Sequence, residues 1–242
     1  MFKSWLARKR RSKSPPRPIT PDSAFYAIGD IHGRLDLLQR LLGQFEAETP
    51  VFCVGDYVDR GEHSAEVLRF LHANPAITCL KGNHEMMLLG FLDSPKSKGG
   101  NWLRFGGLQT LASFGITGLS ETAASGDLEK ASAALKAAMG APLIDWLRHL
   151  PLSWQSGNVA LVHAGADPMI EIAGQREDFL VWGHPEFAKT PRPDGLWVVH
   201  GHTIVDAPLA KDGRISIDTG AYATGRLTAA RIDADGVQFL ST

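Results

Sequence analysis

The chain has 242 residues, enough for one well-filled core, and its 44% hydrophobic and 21% charged residues are ordinary for a folded globular protein. No apolar run approaches the roughly 20 residues that a membrane-spanning helix requires, and the start is unlike a signal peptide, so we expect a cytoplasmic protein with no membrane span. The two cysteines, Cys53 and Cys79, are too few for a disulfide framework and are interpreted as small core residues.

The net charge of −1 conceals a basic amino-terminal segment. Residues 1–21 contain seven lysines and arginines and no acidic residue, which leaves 18 basic against 26 acidic residues in the rest of the chain. Because four prolines also fall here, residues 1–22 are predicted to form a disordered tail, followed by a folded domain over 23–242. A solvated tail is the favoured interpretation. Contact with RNA, membrane lipid or an acidic partner is the alternative.

Strands and helices alternate in the first part of the predicted domain. Strands are predicted at residues 24–28, 51–54 and 77–80, where short apolar runs lead into glycine-containing turns. Helices are predicted at 34–44, where leucines recur at helical spacing, and at 65–72. This alternation is typical of an α/β sheet with parallel neighbouring strands.

The pattern becomes helical from about residue 86 to 150, which predicts a small all-helical subdomain. Its clearest parts are 128–139 and 143–150. Strands return afterwards, and they are predicted at 159–162, 196–199, 215–217 and 227–232. The expected fold class is therefore α/β, with central β-sheets flanked by helices.

Polar side chains with metal-binding potential follow the predicted strands where each one ends. In chain order they are Asp30 and His32, Asp56 and Asp59, Asn83 and His84, His163, and His202. Because the carboxyl ends of strands in open α/β sheets converge on one crevice, these side chains are expected to lie together. Buried carboxylates and imidazoles are costly unless they are paired or bound to metal, which favours a metal site over simple packing.

Five motifs in this order resemble those of the calcineurin-like metallophosphoesterases, in their phosphoprotein phosphatase branch. The motifs are GDIHG (29–33), GDYVDRG (55–61), GNHE (82–85), HAG (163–165) and GHT (201–203). The chain looks most like the bacterial-type serine/threonine protein phosphatases. The resemblance implies the metallophosphoesterase fold, with sandwich-like central sheets.

The resemblance also implies a centre with two divalent metal ions. One ion would be held by Asp30, His32 and Asp56. The other would be held by Asp56, Asn83, His163 and His202, with Asp56 bridging the two. Oxygen and nitrogen ligands without thiolate suit Mn²⁺, Fe or Zn²⁺, and Mn²⁺ is the preferred expectation.

In the mechanism that the resemblance implies, a metal-bridging hydroxide attacks phosphorus directly, without a covalent intermediate. His84 would act as the general acid that protonates the leaving group, and Asp59 would orient it. Arg60 would bind phosphate oxygens through its guanidinium group.

Two further substrate contacts are predicted outside the five motifs. Relatives of this branch usually carry a second phosphate-binding arginine two residues after the tryptophan that corresponds to Trp182, where this sequence has His184. Three interpretations are open: protonated His184 binds phosphate, Arg176 or Arg192 reaches the site, or the second contact is lost. Tyr222 resembles a tyrosine at the rim of the site and is interpreted either as a substrate contact or as a packing residue.

The leading functional hypothesis is hydrolysis of phosphomonoesters on phosphoserine or phosphothreonine proteins. The alternative is a symmetrical diadenosine tetraphosphatase or a related nucleotide phosphohydrolase, because the same metal core serves both. A weakly active phosphate-sensing or scaffold protein is a third hypothesis. Residues 101–111 resemble a segment of bacterial members of the branch, and the helical subdomain they belong to is expected to shape substrate choice. The expected partner is thus a phosphoprotein or a phosphorylated small molecule, with no nucleic acid expected at the core.

Overall fold

Two five-stranded sheets form the centre of the fold in the computed structural model, which describes residues 17–242. The first sheet contains β1 (Phe25–Ile28), β2 (Val51–Cys53), β3 (Ile77–Cys79), β9 (Thr228–Asp233) and β10 (Gly236–Ser241), and the second contains β4 (Ser153–Ser156), β5 (Val159–Val162), β6 (Trp197–His200), β7 (Leu209–Lys211) and β8 (Arg214–Ser216). The spatial orders are β10-β9-β1-β2-β3 and β4-β5-β6-β8-β7. As predicted, β1, β2 and β3 run parallel; β5, β6 and β8 form a second parallel set.

Nine α-helices are described around the sheets. They are α1 (Leu35–Leu42), α2 (Ser64–Ala73), α3 (Asn83–Asp93), α4 (Pro95–Trp102), α5 (Leu108–Ser113), α6 (Ser125–Met139), α7 (Ala141–His149), α8 (Glu177–Trp182) and α9 (Ala221–Thr224). A kinked turn, Leu103–Gly107, joins α4 to α5, with a non-helical φ of 108° at Gly106, and a 3₁₀ turn spans Ile172–Gly174. None of the helices in residues 17–242 has the length and apolar character needed to cross a membrane.

Each sheet is buried on both faces because its strands alternate between two apolar cores. In β5, Val159 and Leu161 pack into the core shared with the first sheet, whereas Ala160 and Val162 face the opposite way, towards Leu180 of α8. The same alternation sends Phe25 and Ala27 of β1 into the shared core. The α/β fold class, with central sheets flanked by helices, is therefore confirmed.

The helical stretch begins at Asn83, slightly before the predicted boundary at 86. Its helices pack on the outer face of the first sheet, and they share one apolar cluster with α1 and α2. Leu88, Trp102 and Leu135 belong to the same cluster as Leu38 and Leu68. The helices thus extend the core of the first sheet.

Residues 17–22 differ from the predicted disordered tail, because they lie extended along the second sheet. Ile19 is buried in the core between the sheets. The side chain of Asn158 accepts a hydrogen bond from the N–H of Thr20 (2.7 Å) and donates one to the carbonyl of Pro18 (2.8 Å). A proline-containing segment cannot form a full ladder of backbone hydrogen bonds, and here side chains take that role. Residues 1–16 of the predicted tail lie outside the described part of the chain.

Candidate metal centre

Five strands deliver the predicted site residues to one edge of the sandwich. The strands are β1, β2 and β3 of the first sheet and β5 and β6 of the second, each followed by a short turn. The following side chains on these turns are at most 4% exposed: Asp30, His32, Asp56, Asp59, Asn83, His84 and His163. His202 is partly buried. The sequence prediction that these side chains converge agrees with their placement.

Asp56 lies at the centre of the cluster. Its Oδ2 atom is 3.6 Å from Nε2 of His32 and 3.9 Å from Nε2 of His84. Its Oδ1 atom is 3.4 Å from Nε2 of His163. Two groups of metal-binding atoms share this carboxylate: His32, Asp56 and His84 form one, and Asp56, His163 and His202 form the other. A shared carboxylate between two ligand groups is the arrangement that a bridged pair of cations requires.

Hydrogen bonds determine which histidine nitrogen faces the cluster. Nδ1 of His32 lies 2.7 Å from the carbonyl oxygen of Val58, and Nδ1 of His163 lies 3.0 Å from that of Val54. A carbonyl can only accept, so each Nδ1 donates its proton and each Nε2 is turned inwards. The Oδ1 atom of Asn83 points to the same space, 2.7 Å from Nε2 of His163.

The charges of the cluster fit a bound cation. Burial opposes protonation of His163, but the Asp56 carboxylate outweighs it and raises the pKa of His163 to about 9, so this ring donates to Asn83 at neutral pH. Burial lowers the pKa of His32 to about 3 and that of His202 to about 4, which leaves both rings neutral with lone pairs to offer. The negative charge of Asp56 that favours protonation of His163 would also favour a divalent cation, which requires the neutral ring.

Asp30 is placed beside the cluster rather than among its ligand atoms. Both of its carboxylate oxygens accept the backbone N–H of His202, at 3.1 Å each. Burial, followed by the negative charge of Asp218, holds the pKa of Asp30 well above its usual range. The imidazole and carboxylate atoms that lie within 4.8 Å of one another here belong to His32, Asp56 and His84, and Asp30 is not among them. The ligand role predicted for Asp30 stays a prediction.

The backbone is strained where it presents these side chains. Five residues of the site have positive φ angles: His32 (43°), Asp56 (57°), Asp59 (70°), Arg60 (69°) and His202 (63°). Among the described residues, two other non-glycine residues share this property, Glu48 and Asp212. Such conformations cost about 1–3 kcal/mol each and persist only where surrounding contacts impose them. Their concentration here marks the strand ends as a functional site.

His84 and Asp59 form a buried pair. Nδ1 of His84 lies 2.6 Å from Oδ2 of Asp59. The same carboxylate accepts hydrogen bonds from Nε1 of Trp102 (3.0 Å to Oδ2) and from the hydroxyl of Thr110 (2.6 Å to Oδ1). Burial opposes protonation of His84, but Asp56 and then Asp59 raise its pKa above the usual value. The arrangement can supply a proton at Nε2 of His84.

Arg60 and Tyr222 both contact the ring of His32. Nη1 of Arg60 donates to Nε2 of His32 at 3.2 Å, and the Arg60 guanidinium lies 4.8 Å from the centre of the Tyr222 ring. The Tyr222 and His32 rings meet edge to face at 5.3 Å, and Tyr222 is 37% exposed. Both predicted substrate contacts therefore lie at the opening of the cluster.

Glu85 carries a contact that the sequence prediction missed. One of its carboxylate oxygens accepts the N–H groups of Asp56 (2.8 Å) and Gly82 (2.9 Å), and the other accepts that of Tyr57 (2.7 Å). Burial, followed by the charge of Asp56, raises the pKa of Glu85 to about 7. Glu85 thus ties the turn after β2 to the turn after β3. Its place in the first turn of α3 was the available signal, because a glutamate there often binds back to the turn.

His184 contacts Asp167 and Phe179. Its Nε2 atom lies 3.7 Å from Oδ2 of Asp167, and its ring packs edge to face on Phe179. The two arginines considered as replacements are engaged by aspartates: Arg176 by Asp178 and Arg192 by Asp194, each at 2.5 Å. Within the described residues, none of these three side chains contacts the cluster around Asp56. The interpretation that the second phosphate contact is lost stays a prediction.

Comparisons with known proteins agree with this geometry. A family model for the calcineurin-like phosphoesterases matches residues 24–206. A symmetrical bis(5'-nucleosyl)-tetraphosphatase of Nitrosococcus oceani is 38% identical over 157 residues, which cover 62% of this chain and 46% of that protein. The asymmetrical bis(5'-nucleosyl)-tetraphosphatase PrpE of Bacillus velezensis is 29% identical over 238 residues, or 86% of this chain and 88% of that protein. The alignment with the symmetrical enzyme therefore spans about half of its length.

The fold is shared with solved phosphatases. A protein serine/threonine phosphatase of Saccharomyces cerevisiae matches with a TM-score of 0.56 at 15% identity, covering 92% of this chain and 80% of the other. Similarity at this identity shows the fold alone. Because the family model spans most of the chain and covers all five motifs in full, the family resemblance is confirmed. The chain belongs to the calcineurin-like metallophosphoesterases.

Proposed function

We propose that this protein hydrolyses dinucleoside polyphosphates, with water as the nucleophile, at the cluster around Asp56. The observation that carries the hydrolytic part is the sharing of the Asp56 carboxylate between two groups of histidines. The substrate part is supported by the two relatives described above, both named as bis(5'-nucleosyl)-tetraphosphatases. We therefore prefer the nucleotide phosphohydrolase alternative to the protein phosphatase hypothesis, which rests on the motifs and a shared fold.

Two divalent cations would be held by the predicted ligands, with Asp56 common to both. Asp30, His32 and Asp56 would hold the first ion, and the second would be held by Asp56, Asn83, His163 and His202. When bound, such ions lower the pKa of water and neutralise charge that develops on phosphate oxygens. Mn²⁺ is the first ion to test, because the ligand set contains oxygen and nitrogen and no thiolate.

The chain's own groups would orient the substrate and move a proton. Arg60 is partly buried beside His32 and lines a surface cavity, and its planar guanidinium can bind two phosphate oxygens. His84, oriented by Asp59 through Nδ1, would give the proton at Nε2 to the leaving oxygen. Tyr222 would contact the substrate at the opening.

The direct test compares two substrates on the Mn²⁺-loaded protein. We expect kcat/KM for diadenosine tetraphosphate to exceed that for a phosphothreonine peptide by at least tenfold, measured by chromatography of the nucleotide products and by phosphate release. A preference for the peptide would refute the substrate proposal and return the enzyme to the protein phosphatases. Chromatography also separates symmetrical from asymmetrical cleavage, since only the symmetrical reaction gives ADP as the single product.

A further inference from the structure

A cavity of about 400 Å³ lies beside the centre, and we propose that it binds the nucleoside part of the substrate. Its lining residues, which define the rim cavity, are Arg60, Arg104, Phe105, Gly106, Gln109 and Tyr222. The nucleobase would stack on the exposed aromatic rings, and Arg104 would bind a phosphate next to the one that reacts. This inference rests on the proposed function and specifies where its substrate binds.

The rim cavity is continuous with the metal centre through shared residues. Arg60 lines the cavity and also donates to Nε2 of His32 at 3.2 Å. Tyr222 lines it as well, and its ring lies 5.3 Å from that of His32. One substrate could thus place its reacting phosphate at the centre and its next groups in the rim cavity.

The rim cavity contains an arginine and two aromatic rings that are accessible to a ligand. Arg104 is exposed and has no hydrogen-bond or ion-pair partner among residues 17–242, whereas Arg148 and Arg176, also on the surface, are each bound to an aspartate. Phe105 is 48% exposed and Tyr222 is 37% exposed. An unpaired guanidinium suits a phosphate, and an exposed ring suits a nucleobase.

The wall that carries Arg104 and Phe105 is fixed to the catalytic pair. It is the kinked turn Leu103–Gly107 between α4 and α5, in which Gly106 departs from helical geometry with a φ of 108°. Trp102 before the turn and Thr110 after it both donate to the carboxylate of Asp59. These anchors hold the cavity at a set distance from the reacting atoms, as a specificity pocket requires.

The size and chemistry of the cavity favour a nucleotide over a phosphopeptide. A volume of about 400 Å³ lies within the range of small-molecule sites. A phosphothreonine peptide offers the reacting phosphate, but it has neither a second phosphate for Arg104 nor a flat ring of its own for Phe105. A dinucleoside polyphosphate offers both.

The test measures binding of ADP and of inorganic phosphate to the Mn²⁺-loaded protein by calorimetry. We expect Phe105→Leu and Arg104→Ala each to weaken ADP binding by about tenfold, since one base stack or one phosphate contact is lost, and to retain the affinity for inorganic phosphate. Phe105→Trp keeps an aromatic face and should retain ADP binding. Arg69→Ala is the matched control, because Arg69 is an exposed arginine that lies over the ring of Phe114.

Unchanged ADP affinity in both Phe105→Leu and Arg104→Ala would overturn the inference, as would an equal loss of ADP and phosphate binding. Weaker binding of a phosphothreonine peptide, with ADP binding intact, would also overturn it and identify a peptide site. ADP binding reports on the cavity whether or not diadenosine tetraphosphate is cleaved. Failure of the wild-type protein to cleave it would therefore refute the proposed function separately.

Discussion

At the scale of single residues, His84 is positioned by the Asp59 carboxylate, which also accepts hydrogen bonds from other side chains. Asp59 accepts hydrogen bonds from Trp102 and Thr110 in addition to His84, so it has little freedom to move. This fixes the His84 ring with Nδ1 towards Asp59 and Nε2 towards Asp56, 3.9 Å from its Oδ2 atom. A general acid needs such an orientation, because the proton must be placed on one leaving oxygen.

Substitution of His84 should therefore slow most the turnover of substrates whose leaving group needs a proton. In His84→Asn, we expect turnover of phenyl phosphate to fall by about 10²–10⁴-fold, and turnover of p-nitrophenyl phosphate to fall much less, because nitrophenolate leaves without a proton. A series of aryl phosphates measures this as a steeper dependence of kcat on leaving-group acidity. His149→Asn, at an exposed histidine of α7, is the control. Parallel dependences for His84→Asn and the wild type would rule out the general-acid role.

The motif residues could be predicted from the sequence because each follows a strand that is itself recognisable. Their supporting contacts could not, because the partners are distant in the chain. Trp102 and Thr110 bind Asp59 across 43 and 51 positions. Glu85 was visible inside a motif, but its acceptor role depends on N–H groups 28 and 29 positions away. Local sequence patterns predict which side chains form the site, but they do not predict the distant hydrogen bonds that position those side chains.

At the scale of elements, the kinked turn Leu103–Gly107 couples the helical stretch to Arg60, the proposed phosphate contact. The carbonyl of Gly106 accepts the N–H of Arg60 at 3.4 Å. Gly106 has a φ of 108°, and a Cβ atom there would lie 2.5 Å from the backbone nitrogen of Arg60. Glycine is therefore required for two reasons, the backbone conformation and the close approach.

The effects of Gly106→Ala should differ from those of a matched control, Gly115→Ala. We expect Gly106→Ala to lower the free energy of unfolding by about 1–3 kcal/mol and to weaken phosphate binding, because Arg60 must shift. Gly115→Ala also places a side chain at positive φ (79°) but meets no atom within 4 Å, so it should lose stability without losing phosphate affinity. Urea unfolding and calorimetry with phosphate provide the two readings. Equal phosphate affinity in both variants would show that the close approach to Arg60 is unimportant.

Three of the four edge strands, β4, β7 and β10, were not predicted from the sequence. Strand β4 reads Ser-Trp-Gln-Ser, a polar pattern with one large apolar residue, and β7 has three residues. β10 lies at the edge of its sheet, pairs with β9 alone, and has only partly buried or exposed residues. Such strands form because a neighbour offers unpaired backbone groups, and that tertiary cause is absent from a local pattern. Buried strands such as β5 need no such help, because all four of its residues are apolar.

At the scale of the whole molecule, buried neutral histidines tie folding to pH. His200 is enclosed between the carbonyl of Gly201, which accepts from Nδ1 (3.0 Å), and the hydroxyl of Ser216, which donates to Nε2 (2.8 Å). Burial lowers its pKa from 6.5 to about 4, and the positive charge of Arg214 acts in the same direction. Between these two values the unfolded chain binds a proton that the folded chain does not. Stability contributed by His200 is therefore complete above pH 6.5 and is lost as the pH falls towards 4.

His200→Gln should remove this part of the acid sensitivity. The free energy of unfolding of the metal-free wild type should fall faster than that of the variant between pH 6.5 and 4, by up to about 1.4 kcal/mol per pH unit. Urea unfolding at a series of pH values measures the difference. Curves that stay parallel across this range would contradict the account of His200.

If the strand ends of the two sheets form one metal-dependent hydrolytic centre around Asp56, as proposed, then metal binding and turnover depend on the same carboxylate, and both can be measured on one sample. After loading with Mn²⁺ and desalting, the wild type should retain two ions per chain and cleave diadenosine tetraphosphate. Asp56→Asn should retain less than one ion and show no turnover, because the shared carboxylate charge is gone. Asp235→Asn, an exposed turn residue, should behave as the wild type. Two retained ions and normal turnover in Asp56→Asn would contradict the account.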